Sequence, residues 1–97
     1  MKVGVPKEIK TLEFRVGMTP AGVRELVTDG HDVVVESTAG AGIGMTDDDY
    51  EKAGATIEKD PAKIFDSADL IVKVKEPQMN ECAMLNKDQV LFTYLHL

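Results

Sequence analysis

Apolar and polar positions come in short blocks along this chain, and the boundaries between blocks carry turn chemistry. Lys2 to Val5 is a brief apolar strand stopped by Pro6, and a polar, mostly charged stretch runs on through Arg15. Thr19-Pro20 supplies an N-cap and a proline at the first helical position. Val23, Leu26 and Val27 follow at helical spacing, and Gly30 stands where a left-handed glycine ends a helix. Val33, Val34 and Val35 form the unbroken β-branched run of a strand covered on both faces, within Asp32 to Glu36. Gly40, Gly42 and Gly44 make a loop, and Thr46 with Asp49 reads as a capping box for a helix ending near Gly54.

The second half repeats the scheme. Ala55 to Glu58 reads as a short strand. Asp60-Pro61 opens a helix with Ile64, Phe65 and Ala68 on its inner face, and Leu70 to Val74 is a β-branched strand halted by Pro77. Asn80 to Leu85 reads as a short helix, and Val90 to Leu95 as a last strand. Strands alternating with helices in this way predict parallel pairing and right-handed crossovers. The expected fold is therefore α/β, a flavodoxin-like or Rossmann-like doubly wound parallel sheet of about five strands.

In such sheets a ligand crevice lies beyond the carboxyl ends of the strands. Arg15 follows the first strand, Lys75 ends the Leu70–Val74 strand, and His96 ends the last one. Parallel strands would deliver all three to one rim. A guanidinium matches a carboxylate with two donors, an ammonium stabilises charge on a carbonyl oxygen, and an imidazole moves protons near neutral pH. Such a trio fits a 2-oxo acid or a 2-amino acid.

Composition narrows the choice further. The 97 residues provide one core, with 43% hydrophobic and 29% charged positions and no Trp, so Val, Ile, Leu, Met and Ala must fill it. A net charge of −6 argues against nucleic acid or an anionic membrane as the main partner. Cys82 is the single cysteine, so no intrachain disulfide can form. Its apolar neighbours place it as a half-buried thiol on a short helix. No secretory leader and no run of membrane-spanning length is visible, which makes the cytoplasm the expected compartment. Gly40-x-Gly42-x-Gly44 brings its third glycine one residue early for a dinucleotide fingerprint, although Glu58 and Asp60 fall near the acidic offset. A close turn before the Thr46 helix is the plainer reading.

Four segments, MKVGVPKEIKTLEFRVGMTPAGV, VVVESTAGAGIGMTD, LIVKVKEP and FTYLHL, appear in an order and spacing that resemble the N-terminal domain family of alanine dehydrogenase and nicotinamide nucleotide transhydrogenase. The resemblance covers essentially the whole chain. KVKEP together with YLHL favours the amino-acid enzyme, and Met45 stands where relatives often carry an aromatic, a packing variant. The resemblance implies that Arg15 binds the substrate carboxylate, Lys75 binds the substrate and polarises its carbonyl, and His96 acts as general acid/base. Tyr94 and Glu8 are implied as pocket residues. The implied reaction is reversible, NAD-dependent oxidative deamination of L-alanine to pyruvate and ammonium.

The resemblance also implies that the NAD-binding domain and the returning helices that complete the first domain follow the segment seen here. Residues 1–97 are thus expected to be a substrate-binding domain that binds no NAD and turns nothing over alone. Its bare last strand predicts a dimer or higher homo-oligomer. Two alternatives stay open: a partner for a separate NAD-binding chain, as in a transhydrogenase-like or split enzyme, and a non-catalytic flavodoxin-like interaction module. The acid pocket of a phosphoacceptor domain is not supplied by Val5-Pro6-Lys7 or Glu36-Ser37-Thr38.

Overall fold

A computed structural model describes residues 1–10 and 13–94. The chain runs β1 (Lys2–Val5), α1 (Pro20–Thr28), β2 (Asp32–Glu36), a 3-10 turn (Ala41–Ile43), α2 (Asp47–Lys52), β3 (Thr56–Glu58), α3 (Pro61–Ser67), β4 (Leu70–Lys73), α4 (Met79–Cys82) and β5 (Val90–Thr93). The strands form one parallel sheet in the order β3-β2-β1-β4-β5. Chain order runs outward from β1 in one direction and then jumps back past it to β4. The gap between the ends of β1 and β4 is therefore the switch point, where this architecture opens a crevice.

Strand alternation divides the core into two layers. Val3 and Val5 pair with Val33 and Val35 and point, with Val72, toward α1 and α2, where Val23 and Tyr50 meet them. Ile71 points the other way and packs with Ile64, Phe65 and Ala68 of the α3 segment. Val34 is partly buried against this second layer, so β2 is covered on both faces, as its valine run predicts.

The helices begin and end where local chemistry dictates. The Thr19 and Asp60 side chains accept backbone N–H groups of their first turns, each ahead of a proline at the start of the helix. Thr46 and Asp49 form a reciprocal capping box. Gly30, at φ 90°, ends α1 in the left-handed region that glycine enters without steric cost. The α3 C-terminus is closed by side chains from a distant turn. Asn86 donates to the Phe65 and Asp66 carbonyls, and Gln89 to those of Phe65 and Ala68.

Three expectations are corrected. β4 stops at Lys73, two residues short of Lys75, because the Val74 and Lys75 N–H groups turn to a side chain instead of a strand. α4 covers Met79–Cys82 and not residues 80–85, since Gln78 and Glu81 cap it one residue earlier. Cys82 is exposed, its thiol directed at the Pro77 carbonyl, because the buried position of this short helix goes to Glu81. β5 is seen over Val90–Thr93; Leu95 lies outside the described residues.

Candidate substrate-binding crevice

The loop after β1 and the end of β4 meet at the switch point through one carboxylate. Glu8 is 7% exposed, and its two oxygens are fully engaged. Oε1 accepts the Lys73 ammonium at 3.2 Å and the Lys75 backbone N–H at 3.2 Å, and Oε2 accepts the Val74 N–H at 3.0 Å. Lys73 is 1% exposed and also pairs with Glu81 Oε2 at 3.0 Å. Buried charges are costly unless paired. Here two carboxylates flank one ammonium, and the remaining acceptor capacity goes to backbone N–H groups.

Beside this cluster, Glu36 at the end of β2 accepts the Lys7 N–H at 2.9 Å. Burial raises the Glu36 carboxyl above its usual range, and the neighbouring Glu81 adds to the effect, while Lys7 and Lys73 oppose it. The carboxyl ends of β1, β2 and β4 are thus stitched together by acidic side chains that reach backbone amides.

In front of Glu8 opens a cleft of about 290 Å³, bordered by Lys7, Glu8, Glu13, Arg15, Thr38 and Gly42. The Arg15 side chain is 63% exposed, and its guanidinium is gripped by Glu13. Nε donates to Glu13 Oε2 at 3.0 Å, Nη2 donates to Oε1 at 2.9 Å, and the Arg15 backbone N–H adds a bond to Oε2 at 2.9 Å. The Arg15 side-chain hydrogen bonds hold the Glu13 carboxyl at about 2, far below the usual carboxylate range. Smaller contributions come from the Arg15 backbone N–H, the Arg15 charge and the Lys75 charge. Both cations named from the sequence therefore act on one carboxylate at the mouth of the crevice.

Two further contacts seat the Arg15 loop. A Cβ on Gly42 would land on the Phe14 carbonyl oxygen, so only glycine lets the two loops pass this closely. Tyr94 donates its hydroxyl to the Gly17 carbonyl at 2.9 Å and meets Phe92 edge to face, with ring centroids 5.6 Å apart.

The predicted residues fare differently. Arg15 and Glu8 both border the cleft, while Lys75 joins Glu8 through its backbone N–H and its side chain is not among the residues lining the cleft. Tyr94 braces the Arg15 loop from β5. His96 lies outside the described residues. Lys73, Glu81 and Glu13 are missing from the sequence-based list. The signal for Lys73 was present, since a lysine inside the apolar run LIVKV must find buried partners.

NAD finds no cradle in the glycine loop, because Gly40 and Gly42 are filled by Tyr50, Met45 and Phe14. Among the described residues no group of His, Cys, Asp and Glu side chains is arranged to hold a metal ion, and no helix is long and apolar enough to cross a membrane.

Comparison with known proteins bears on family and fold. A family model described as alanine dehydrogenase/PNT, N-terminal domain, matches residues 4–97. The alanine dehydrogenase of Halomonas elongata is 60% identical over all 97 residues, and that of Methanococcus maripaludis 50%. The chain spans 26% of the length of each. A solved L-alanine dehydrogenase superposes with a TM-score of 0.94 over 99% of this chain at 51% identity. A transhydrogenase from Sinorhizobium meliloti superposes with a TM-score of 0.90 over 96% at 35% identity, and the chain covers 26% of each of these structures. The family match over residues 4–97, the identities and the shared fold lead to one assignment: the chain belongs to the alanine dehydrogenase/PNT N-terminal domain family.

Proposed function

We propose that this chain is the substrate-handling part of an NAD-dependent L-alanine dehydrogenase, and that its crevice takes the carboxylate of pyruvate or L-alanine. The observation that carries this reading is Glu13. A carboxylate at the crevice mouth is held charged down to about 2 by an Arg15 fork, with Lys75 adding to the field. A substrate carboxylate would meet the same two cations, on the donors of Arg15 that Glu13 leaves uncovered.

In this reading Arg15 anchors the carboxylate, and Lys75 polarises the 2-oxo or imine group and stabilises negative charge developing there. His96 passes the proton to or from the substrate heteroatom. Glu8 fixes the Lys75 backbone, and Tyr94 fixes the loop that carries Arg15. NAD would take the hydride in the whole enzyme. The glycine loop does not fit it, and we assign that step to a separate NAD-binding domain. The full reaction is the reversible oxidative deamination of L-alanine to pyruvate and ammonium, carried out in the cytoplasm by a homo-oligomer. Nucleic acid and membrane are not partners in this reading.

The likeness to a transhydrogenase supports a second reading, in which the crevice is a scaffold that completes an NAD-binding chain without handling an amino acid. A pyruvate titration followed by amide NMR separates the two. Saturable shifts at residues 13–16 and 74–76, lost in Arg15→Ala and Lys75→Ala, support the dehydrogenase. Pyruvate shifts unchanged in both variants overturn it.

A further inference from the structure

A lysine with 1% of its surface exposed cannot touch substrate, yet Lys73 stands two residues from Lys75 and shares its acceptor. We propose that Lys73 is the positioning residue of this crevice: its ammonium, clamped between Glu8 and Glu81, holds Glu8 where it fixes the Val74 and Lys75 backbone, and so sets the place of Lys75. The proposal rests on the assignment of Lys75 to substrate binding.

The geometry runs as a chain of contacts. Glu81 is itself immobilised as the capping residue of α4, with Oε1 accepting the Gln78 N–H at 2.9 Å. Its other oxygen pairs with Lys73 at 3.0 Å. Lys73 passes the constraint to Glu8 at 3.2 Å, and Glu8 passes it to the backbone of residues 74 and 75. The loop after β1, distant in sequence, is registered with the end of β4 and with α4 through this one ammonium.

Stability alone is a poor account of the arrangement. Two carboxylates and one ammonium leave a net negative charge in a buried place, and a well-packed apolar side chain at 73 would avoid that desolvation cost. The charge does something an apolar residue would not: it dictates the direction of the Glu8 carboxylate. Without it, Glu8 and Glu81 face each other as like charges. Glu8 then swings toward the cleft it borders, and the Val74 and Lys75 N–H groups lose their acceptor.

The test compares the wild-type chain with Lys73→Met and Glu81→Gln. One readout is hydrogen exchange at the Val74 and Lys75 amides against the Val35 and Ile71 amides in the core; the other is pyruvate affinity by NMR. In Lys73→Met the two loop amides are expected to exchange about tenfold faster and pyruvate to bind about tenfold more weakly, with the core amides little changed. Glu81→Gln leaves one oxygen where Lys73 and the Gln78 N–H each had their own, which weakens the clamp, so the same selective pattern should appear at about threefold, and it serves if Lys73→Met does not fold. Loop amides that keep their protection, or that lose it only in step with the core, overturn the proposal. A wild-type chain that ignores pyruvate sinks the substrate reading instead, and the amide comparison still decides whether Lys73 orders the loop.

Discussion

Glu8 and Lys75 stand 67 residues apart in the chain, yet the carboxylate of one accepts the backbone N–H of the other at 3.2 Å. That contact closes the switch point of the sheet. It also shows what the acidic side chains do here: Glu8 and Glu36 set backbone positions, while Glu13 engages the Arg15 guanidinium. Several consequences can be measured.

The Glu13 carboxyl should titrate near 2 when followed by carbon NMR, and move back toward 4.5 in Arg15→Ala. Because its folded value is depressed, the pair stabilises the chain above 4.5, and this contribution fades as pH falls from 4.5 toward 2. Stability measured between pH 6 and 8 should not depend on this group. A Glu13 midpoint at the ordinary carboxylate value would contradict the Arg15 contact.

Tyr50 should ionise late. Burial, and then the nearby Asp49 carboxylate, push it up to about 12 from 10.0. The raised value favours the neutral phenol in the folded chain. Its contribution to stability is complete below 10 and is lost as pH rises toward 12. Alkaline absorbance titration of Tyr94→Phe, which leaves Tyr50 as the sole tyrosine, reads this directly.

The same side chain donates its hydroxyl to the Met18 carbonyl at 2.7 Å. Tyr50→Phe removes the donor and strands the acceptor, at a cost of about 1–2 kcal/mol in urea denaturation. Tyr50→Ala empties a fully enclosed site and should cost about 3–5 kcal/mol, enough to leave a domain of this size marginal.

Gly42→Ala should displace the Arg15 loop, because the added methyl meets the Phe14 carbonyl. Overpacking of this kind costs about 1–3 kcal/mol, and the amide shifts should concentrate at residues 13–16. Gly44→Ala is the control. It meets nothing within 4 Å and carries only the strain of φ 77°, about 1–2 kcal/mol.

β5 is an edge strand with Val90, Phe92 and the adjoining Tyr94 all exposed. We expect the 97-residue chain to self-associate through this edge, with Phe92→Lys shifting it toward monomer in sedimentation velocity. A wild-type monomer at high concentration would remove the basis for this expectation.

The elements were largely legible because their signals are local. Thr19-Pro20, Asp60-Pro61 and the Thr46–Asp49 pair each start a helix through atoms within three residues of one another. The valine run of β2 reports burial on both faces through the side chains alone. α4 was misplaced because its start depends on a Gln78–Glu81 cap that the apolar pattern does not reveal. Cys82 was misplaced for a related reason: the buried side chain of that turn is an acid, held there by the Lys73 ammonium at the end of β4.

The crevice divides along the same line. Strand order placed Arg15 and Lys75 at one rim, since parallel strands all end on the same side. Linear spacing could not say that Glu13 covers the Arg15 fork, or that Glu8 and Glu81 are the partners of the buried lysine two positions before Lys75. Caps, turns and strand alternation are decided within a few residues, and the chain by itself carries them. The pairing of Lys73 with Glu8 and Glu81 is decided by which segments the sheet and α4 bring within 3.2 Å, and that distance exists only once the whole sheet has formed.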